Sequence, residues 1–254
     1  MNSKLENYNV LNDIKKNYNL AINIARYGDA IDEVGLWESE KIIFDKYINK
    51  DDKVLDLGCG AGRTTINLFK RGYKNIIGLD LSDELINFGK DYITKNGLNI
   101  DLVVGDAMNL KYEDNSFDSV IFSYNGMMCI SGHKNRVKVL EEVYRVLKPN
   151  GIYILTAHNR DDSGKHNEEW AAEKLLWEKG MQDSKLEMFG DKYPVDITGE
   201  TIFLHFSNIE ELEEMVINVG FEVLEHTKST DIADENEKTK TFAGATVFWV
   251  LRKK

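Results

Sequence analysis

The chain of 254 residues has only two cysteines, Cys59 and Cys129, and no long apolar run. Two cysteines cannot form a disulfide framework and show no metal-ligand spacing, which predicts a cytoplasmic protein without a metal site. We interpret Cys59 as a small residue tolerated in a turn rather than as a redox centre. Without an apolar stretch of about 18 residues or a basic, apolar leader, neither a membrane span nor a signal peptide is predicted.

Dense clusters of basic residues are also missing. The chain has 32 Lys and Arg against 43 Asp and Glu, a net charge of −11. Binding of nucleic acid depends on clustered Lys and Arg that displace counterions, so this balance argues against a nucleic-acid substrate. The acidic stretch DIADENEK (231–238) is predicted to be a solvated loop between the last two strands.

Glycine, in contrast, recurs at alternate positions in one run, VLDLGCGAGR (54–63), where an apolar strand opens into three glycines and then a helix. Such a turn lets a nucleotide-like ligand lie against bare backbone. Arg63 occupies the place of the third small residue of the dinucleotide fingerprint, and no Gly-Lys-Ser/Thr follows, so both common phosphate-binding loops are excluded. Asp56, two residues before the first glycine, repels a pyrophosphate but suits a cation. The run therefore predicts a site for a positively charged nucleoside.

Further acidic residues follow the next strands. Asp80 ends the strand NIIGLDLS, 22 residues after Gly58, close to the spacing at which a carboxylate holds ribose hydroxyls. Asp106 follows the strand of NIDLVVGDAMNL, where its carboxylate and the Ala107 N–H can together read the edge of adenine. The fourth strand ends at Ser123, Tyr124 and Asn125. Ligands of open α/β sheets bind at these carboxyl ends.

Taken together, these motifs resemble the class I S-adenosylmethionine-dependent methyltransferases, with a methyltransferase domain of the type 11/25 kind. The motifs are DLGCGAG (56–62), GLDLS (78–82), GDAMNL (105–110), FDSVIFSYN (117–125) and LKPNGIYIL (147–155). The resemblance covers about residues 50–157 well and the remainder more loosely. It implies an α/β, Rossmann-like, doubly wound sheet of seven strands in the order 3-2-1-4-5-7-6, the last strand antiparallel, and S-adenosyl-L-methionine as cofactor.

The resemblance also implies a set of cofactor-binding residues. Gly58 and Gly60 would lie against the methionine moiety, Asp80 would hold the ribose, and Leu81 and Met108 would flank the adenine. Arg26 either pairs with the methionine carboxylate or is a surface arginine favoured by the dipole at a helix end. The full set is Arg26, Asp56, Gly58, Cys59, Gly60, Asp80, Leu81, Asp106, Ala107, Met108, Ser123 and Tyr124.

Two segments lie outside the predicted sheet. Residues 1–50 are expected to form an N-terminal helical cap, and residues 51–254 the methyltransferase domain. An aromatic-rich insertion at about 160–206 is too long for a structureless loop and is predicted to be a lid over an apolar acceptor pocket. The alternative is that its aromatic side chains only pack the insertion onto the domain.

The predicted reaction is in-line transfer of a methyl group to N, O, S or C of a small molecule, which yields S-adenosylhomocysteine. A general base is needed only if the acceptor must lose a proton. The candidates for this role are His158 and His205, while Tyr124 and Asn125 could orient the acceptor. The sequence SYNGM replaces the NPPY-type signature of adenine and glutamine amide methylation, which argues against those acceptors. A tRNA methyltransferase and a non-catalytic S-adenosylmethionine-binding module remain alternatives, and the protein is expected to be a monomer or homodimer.

Overall fold

The computed structural model describes residues 12–162, 164–195 and 199–254, so the first part of the expected N-terminal cap lies outside it. The helices are α1 (12–18), α2 (Ala21–Glu33), α3 (Glu38–Tyr47), α4 (Arg63–Lys70), α5 (Asp83–Lys95), α6 (His133–Val146), α7 (Asn167–Glu178), α8 (Ile209–Val219), α9 (Ser229–Ile232) and α10 (Glu237–Ala243). The strands are β1 (Val54–Leu57), β2 (Ile76–Asp80), β3 (Asp101–Val104), β4 (Phe117–Phe122), β5 (Leu147–Ala157), β6 (Asp191–Lys192), β7 (Leu204–His205), β8 (Phe221–Lys228) and β9 (Val247–Lys253).

The main sheet has seven strands in the order β3-β2-β1-β4-β5-β9-β8. The first five strands are parallel, and β9 runs antiparallel to both β5 and β8. Because β6 and β7 form a separate pair, β8 and β9 are the sixth and seventh strands of the main sheet. The predicted fold class and strand order are therefore confirmed.

Local sequence signals account for several helix ends. The Ser82 hydroxyl accepts a hydrogen bond from the Leu85 N–H at 3.1 Å and caps α5, and the Asn208 side chain caps α8 in the same way through the Glu211 N–H at 3.0 Å. Gly220 ends α8 with φ of +116°, a conformation that favours glycine. These caps satisfy backbone groups that the helix itself leaves free.

Helices cover both faces of the sheet. On one face, α6 and α8 pack apolar side chains such as Val143 and Val216 against Leu55 and Val120. On the other face, α3 packs Phe44 against Ile121 and its neighbours. Successive strand residues point to opposite faces, so β4 places Val120 and Ile121 in different cores. Among the described helices, none combines the length and the hydrophobicity of a membrane span.

The acidic stretch 231–238 connects β8 to β9 and is mostly exposed, as its charge predicts, but it is not entirely a loop. It runs from α9 to the start of α10, and the Glu235 carboxylate accepts hydrogen bonds from the backbone N–H groups of Glu38 and Ser39, both at 2.8 Å. The Ser39 hydroxyl donates to the same carboxylate at 2.5 Å. The connection between β8 and β9 is thus attached to the beginning of α3.

Candidate active site

One large cavity lies at the carboxyl edge of the parallel strands. It encloses about 1040 Å³ of empty space, counting the part open to solvent. Ten of the predicted cofactor-binding residues line it: Asp56, Gly58, Cys59, Gly60, Asp80, Leu81, Asp106, Ala107, Ser123 and Tyr124. Parallel strands end at the same edge, which brings together residues far apart in the chain.

The glycine loop is fixed to the end of β2. The Cys59 N–H donates to the Leu79 carbonyl at 3.0 Å, and the Gly60 N–H donates to the Asp80 carboxylate at 2.7 Å. Gly58 has φ of +67°, and a Cβ there would lie 2.6 Å from the Phe122 ring. Only glycine therefore meets both the backbone conformation and the space available at this position.

The two predicted nucleoside-binding carboxylates stand at the ends of neighbouring strands. Asp80 accepts the Gly60 N–H with one oxygen and the Ser82 N–H, at 2.8 Å, with the other. One Asp106 oxygen accepts the Met108 N–H at 2.8 Å. A carboxylate oxygen accepts more than one hydrogen bond, so both groups can still receive hydroxyl or amino donors of a ligand. Burial raises the pKa of Asp80, and the backbone N–H donors oppose that rise.

Asp56 is the most deeply buried acid of the cavity, at 2% exposure. Its carboxylate accepts a hydrogen bond from the Thr65 hydroxyl at 2.5 Å. Burial raises the pKa of Asp56 to about 7, although the Thr65 hydroxyl and the Arg63 charge oppose the rise. A positive group on a ligand would favour the ionised form of this carboxyl.

Arg63 also lines the cavity, but its charge is already neutralised. Both guanidinium arms donate to the Glu40 carboxylate at 2.7 Å, and one arm donates to the Gly35 carbonyl at 2.6 Å. Arg63 is 7% exposed and Glu40 is fully buried. The remaining lining charges are the acids Asp56, Asp80 and Asp106, so the cavity suits a cation.

Sequence reasoning missed the residues that close the cavity. Tyr18 from α1, Tyr27 from α2 and Phe242 from α10 line it together with Tyr124. The rings of Tyr124 and Phe242 are stacked with centroids 4.7 Å apart, and the Tyr124 hydroxyl donates to the Phe242 carbonyl at 2.8 Å. Tyr18 and Tyr27 belong to two different helices, so no periodic pattern marks them, and nothing local points to Phe242.

Tyr124 and Asn125, the predicted acceptor-orienting residues, adopt unusual backbone conformations. Their φ angles are +51° and +64°, in the left-handed region that non-glycine residues seldom occupy. The Tyr124 N–H donates to the buried Thr156 hydroxyl at 2.7 Å, which holds this turn. Strained backbone of this kind concentrates at functional sites, and both residues line the cavity.

Arg26 and Met108 are not among the cavity-lining residues. The Arg26 guanidinium donates to the Phe242 carbonyl at 3.2 Å and to the Tyr124 hydroxyl at 3.3 Å. It also lies over the Phe242 ring, 5.2 Å from the centroid. In this arrangement Arg26 joins α2 to α10 across the cavity rim.

The structure places the two histidines away from the cavity. His158 contacts the Ala245 carbonyl through Nδ1 at 2.7 Å, and burial lowers its pKa. His205 is 2% exposed and lies between two carboxylates, with Nδ1 2.7 Å from Asp191 and Nε2 2.6 Å from Glu211. With both nitrogens occupied, His205 connects the insertion to α8.

The aromatic insertion does not form the lid that its composition predicts. No described residue of 160–206 lines the cavity. Trp170 instead packs against Phe189 and Phe206, with ring centroids 5.8 and 5.5 Å apart. Phe206 in turn stacks on His158, just after β5, with ring centroids 6.0 Å apart. These rings therefore pack the insertion against itself and against the end of β5. A lid over the cavity and an insertion packed elsewhere have the same aromatic sequence pattern, and only the tertiary packing distinguishes them.

The cavity fits a nucleoside that carries a positive charge. Its bare glycine loop admits close approach of a ligand, and Asp80 and Asp106 retain free acceptor capacity. The described residues contain no group of three or more His, Cys, Asp or Glu side chains arranged to bind a metal. Burial raises the pKa of the Cys59 thiol, as for a structural cysteine.

Comparison with known proteins also identifies a methyltransferase domain, as the sequence motifs predict. Residues 54–151 match the model of the methyltransferase domain. The chain is 36% identical over 140 residues to a demethylmenaquinone methyltransferase of Staphylococcus haemolyticus, which covers 52% of this chain and 56% of that protein. A second demethylmenaquinone methyltransferase, from Staphylococcus carnosus, is 34% identical over 149 residues, 58% of each chain. The chain thus matches less than two thirds of the length of these relatives.

Other matches extend over most of the chain. An uncharacterised protein of Methanocaldococcus jannaschii is 33% identical over 199 residues, covering 77% of this chain and 71% of that protein. The crystal structure of an S-adenosylmethionine-dependent methyltransferase from Methanosarcina mazei has a TM-score of 0.67 and 22% identity, covering 86% of this chain and 98% of that one. The crystal structure of a [4+2]-cyclase has a TM-score of 0.59 and 20% identity, covering 84% of this chain and 78% of that one. At 22% and 20% identity, both structures show a shared fold alone. The chain therefore contains a methyltransferase domain and has the class I fold of S-adenosylmethionine-dependent methyltransferases.

Proposed function

We propose that this protein transfers a methyl group from S-adenosylmethionine to a small-molecule acceptor by in-line displacement, which releases S-adenosylhomocysteine. The main support for this proposal is that one cavity is lined by the glycine loop, by Asp80 and Asp106, and by the strained Tyr124–Asn125 turn. S-adenosylmethionine supplies an already activated methyl group on a sulfonium. The chain's own task is therefore alignment and exclusion of water.

The roles of the residues follow from their positions. Asp80 accepts the ribose hydroxyls, while Asp106 and the Ala107 N–H hold adenine. Asp56, Gly58 and Gly60 lie along the methionine moiety, with Cys59 between the glycines and Leu81 and Ser123 completing the wall. Orientation of two reactants in one closed site can contribute roughly 7–11 kcal/mol to lowering a barrier. Tyr18, Tyr27 and Phe242 exclude water from the same space.

The acceptor is a small molecule in this proposal because the rings of Tyr18, Tyr27 and Phe242 cover the cavity and its lining is acidic. Nucleic acid would require exposed cations beside the site, and the cavity's one lining guanidinium among the described residues is paired with Glu40. The names of the Staphylococcus relatives do not identify the methyl acceptor of this protein, because the aligned segment covers just over half of those relatives.

Substitution of Asp80 tests the donor site. We expect Asp80→Ala to weaken S-adenosylmethionine binding at least about tenfold in calorimetry, because loss of charged hydrogen bonds costs about 1.5–3 kcal/mol. The exposed Asp51→Ala is the matched control and should bind as the unmodified protein does. Equal affinity of the Asp80 variant and the control would refute the donor assignment. Release of S-adenosylhomocysteine, together with a methylated product detected by mass in a metabolite screen, tests the transfer itself.

A further inference from the structure

The first turn of α3, residues 37–40, holds the end of the glycine loop. Glu40 is fully buried, and its two carboxylate oxygens accept the two guanidinium arms of Arg63, each at 2.7 Å. One of these oxygens also accepts the Trp37 N–H at 3.0 Å, which closes the turn. Arg63 begins α4 directly after Gly62, the last glycine of the loop. The position of Glu40 therefore fixes the residue that follows the donor loop.

The same turn contacts the end of β4. The Ser123 hydroxyl donates to the Glu40 carboxylate at 3.3 Å. The Trp37 ring meets the Tyr124 ring edge-on, with centroids 5.8 Å apart. Ser123 leads directly into the strained Tyr124–Asn125 turn that we assign to orientation of the acceptor, and both Ser123 and Tyr124 line the cavity. One turn of helix thus contacts the donor side and the acceptor side of the site.

Stability alone does not account for two features of this turn. A buried ion pair such as that of Glu40 and Arg63 can often be replaced by apolar side chains without loss of stability. Trp37 is 1% exposed, and its indole N–H has no hydrogen-bond partner among the described residues. A buried donor without a partner lowers stability. Because packing alone would favour apolar groups here, these residue types point to a role in the site.

We propose that Trp37 and Glu40 are positioning residues that align the acceptor turn with the bound methyl donor; this inference rests on the proposed function. Neither residue lines the cavity, so both act through Arg63, Ser123 and Tyr124. In-line transfer requires the acceptor atom, the methyl carbon and the sulfur to lie on one line. A misplacement of about 1 Å can slow such a reaction about a hundredfold. The first turn of α3 sets this alignment because it holds both sides.

Other contacts hold Tyr124 to neighbouring elements. Its N–H donates to the Thr156 hydroxyl of β5 at 2.7 Å, and its hydroxyl donates to the Phe242 carbonyl of α10 at 2.8 Å. Neither contact reaches the glycine loop. The Trp37 ring adds a connection to that side, because the Arg63 guanidinium lies over it, 5.0 Å from the ring centroid.

Removal of the Trp37 ring tests the inference. With S-adenosylhomocysteine bound, we expect Trp37→Leu to speed hydrogen exchange of the Tyr124 amide at least about tenfold in NMR, because the turn loses its lateral support. In turnover with an acceptor identified by the product screen, kcat should fall at least about tenfold, since alignment is impaired. The KM for S-adenosylmethionine should stay within about threefold, because donor binding is retained.

Trp170→Leu is the matched control, because Trp170 is also a buried ring but packs in the insertion, outside the cavity. Both substitutions should lower the melting temperature, so melting reports the structural role of each ring. Only Trp37→Leu should change Tyr124 exchange and kcat. If Trp37→Leu does not fold, Ser123→Ala takes its place: it removes the hydroxyl that donates to Glu40, keeps the Glu40–Arg63 pair, and should change the same two quantities.

The outcomes separate the two proposals. If S-adenosylmethionine does not bind the unmodified protein, the proposed function fails and the inference fails with it. If it binds, but Trp37→Leu leaves Tyr124 exchange and kcat as they are in Trp170→Leu, the inference alone fails. A rise in the KM for S-adenosylmethionine with unchanged kcat would assign this turn to donor binding and would also overturn the inference.

Discussion

At the scale of single residues, Asp56 illustrates a conflict between stability and binding. Its carboxyl is buried at the end of β1, and burial raises its pKa to about 7 from an ordinary value of 3.8. The folded protein therefore holds this proton more tightly than the unfolded chain does. Stability from this group is fully present below about pH 4 and is lost as pH rises towards 7.

Replacement of Asp56 should separate the two effects. We expect Asp56→Asn to raise the free energy of unfolding at about pH 8 by on the order of 1–3 kcal/mol, because no buried charge must form. The gain should vanish near pH 4, and denaturant titrations at both pH values measure it. In the same variant, S-adenosylmethionine binding should weaken, because a ligand cation loses its partner. Asp51→Asn, at an exposed position, is the control; an identical pH response in both variants would contradict this account.

The sequence predicted the acidic residues at the strand ends better than it predicted the contacts between distant side chains. Asp80 and Asp106 were recognisable because each follows a strand. Arg63 was recognisable only as a misfit to the dinucleotide fingerprint. Its bond to Glu40 joins positions 23 residues apart with no shared periodicity, so no local pattern could have predicted it.

At the scale of elements, the connection between β8 and β9 contributes to the wall of the cavity. Its charge predicts a solvated loop, and most of it is exposed. Nevertheless, α10 contributes Phe242 to the cavity, and Glu235 accepts hydrogen bonds from the first turn of α3. A carboxylate at a helix N-terminus satisfies free N–H groups and complements the helix dipole. One acid thus positions both α3 and the segment that precedes α10.

Loss of this cap should loosen α10 more than it destabilises the protein. We expect Glu235→Ala to increase amide hydrogen exchange within Glu237–Ala243 and to cost about 0.5–2 kcal/mol of stability. Glu237→Ala removes only an exposed bond to Lys240 and serves as the control. Exchange mapped by mass spectrometry should differ between the two variants, and unchanged protection in Glu235→Ala would show that other contacts hold α10.

At the scale of the whole molecule, the N-terminal helices are tied to the sheet domain rather than appended to it. The buried pair of Glu40 on α3 and Arg63 on α4 crosses the boundary expected near residue 50. Phe44 packs into the same core as Ile121 and Ile154 of the sheet. The described part of residues 1–50 therefore shares a hydrophobic core with the sheet.

Breaking the buried pair should destabilise the molecule as a unit. We expect Glu40→Gln to cost about 3–5 kcal/mol, because it leaves the Arg63 charge buried without a counterion. Glu33→Gln, which removes an exposed partner of Lys238, should cost less than about 1 kcal/mol. Urea unfolding followed by fluorescence and by circular dichroism measures both losses. Equal losses, or unfolding of the helices before the sheet, would contradict the shared core.

The sequence by itself determined the fold class and which residues line the cavity at the strand ends. Those features depend on local signals: apolar strands, a glycine turn, and acids that end parallel strands at one edge. The strand order followed from the resemblance of these motifs to a known family. Only the tertiary structure decided what closes the cavity. Tyr18, Tyr27 and Phe242 meet there from both ends of the chain, while the aromatic insertion packs elsewhere. An aromatic side chain gains from burial in any apolar surroundings, so its sequence pattern predicts that it is buried but not where.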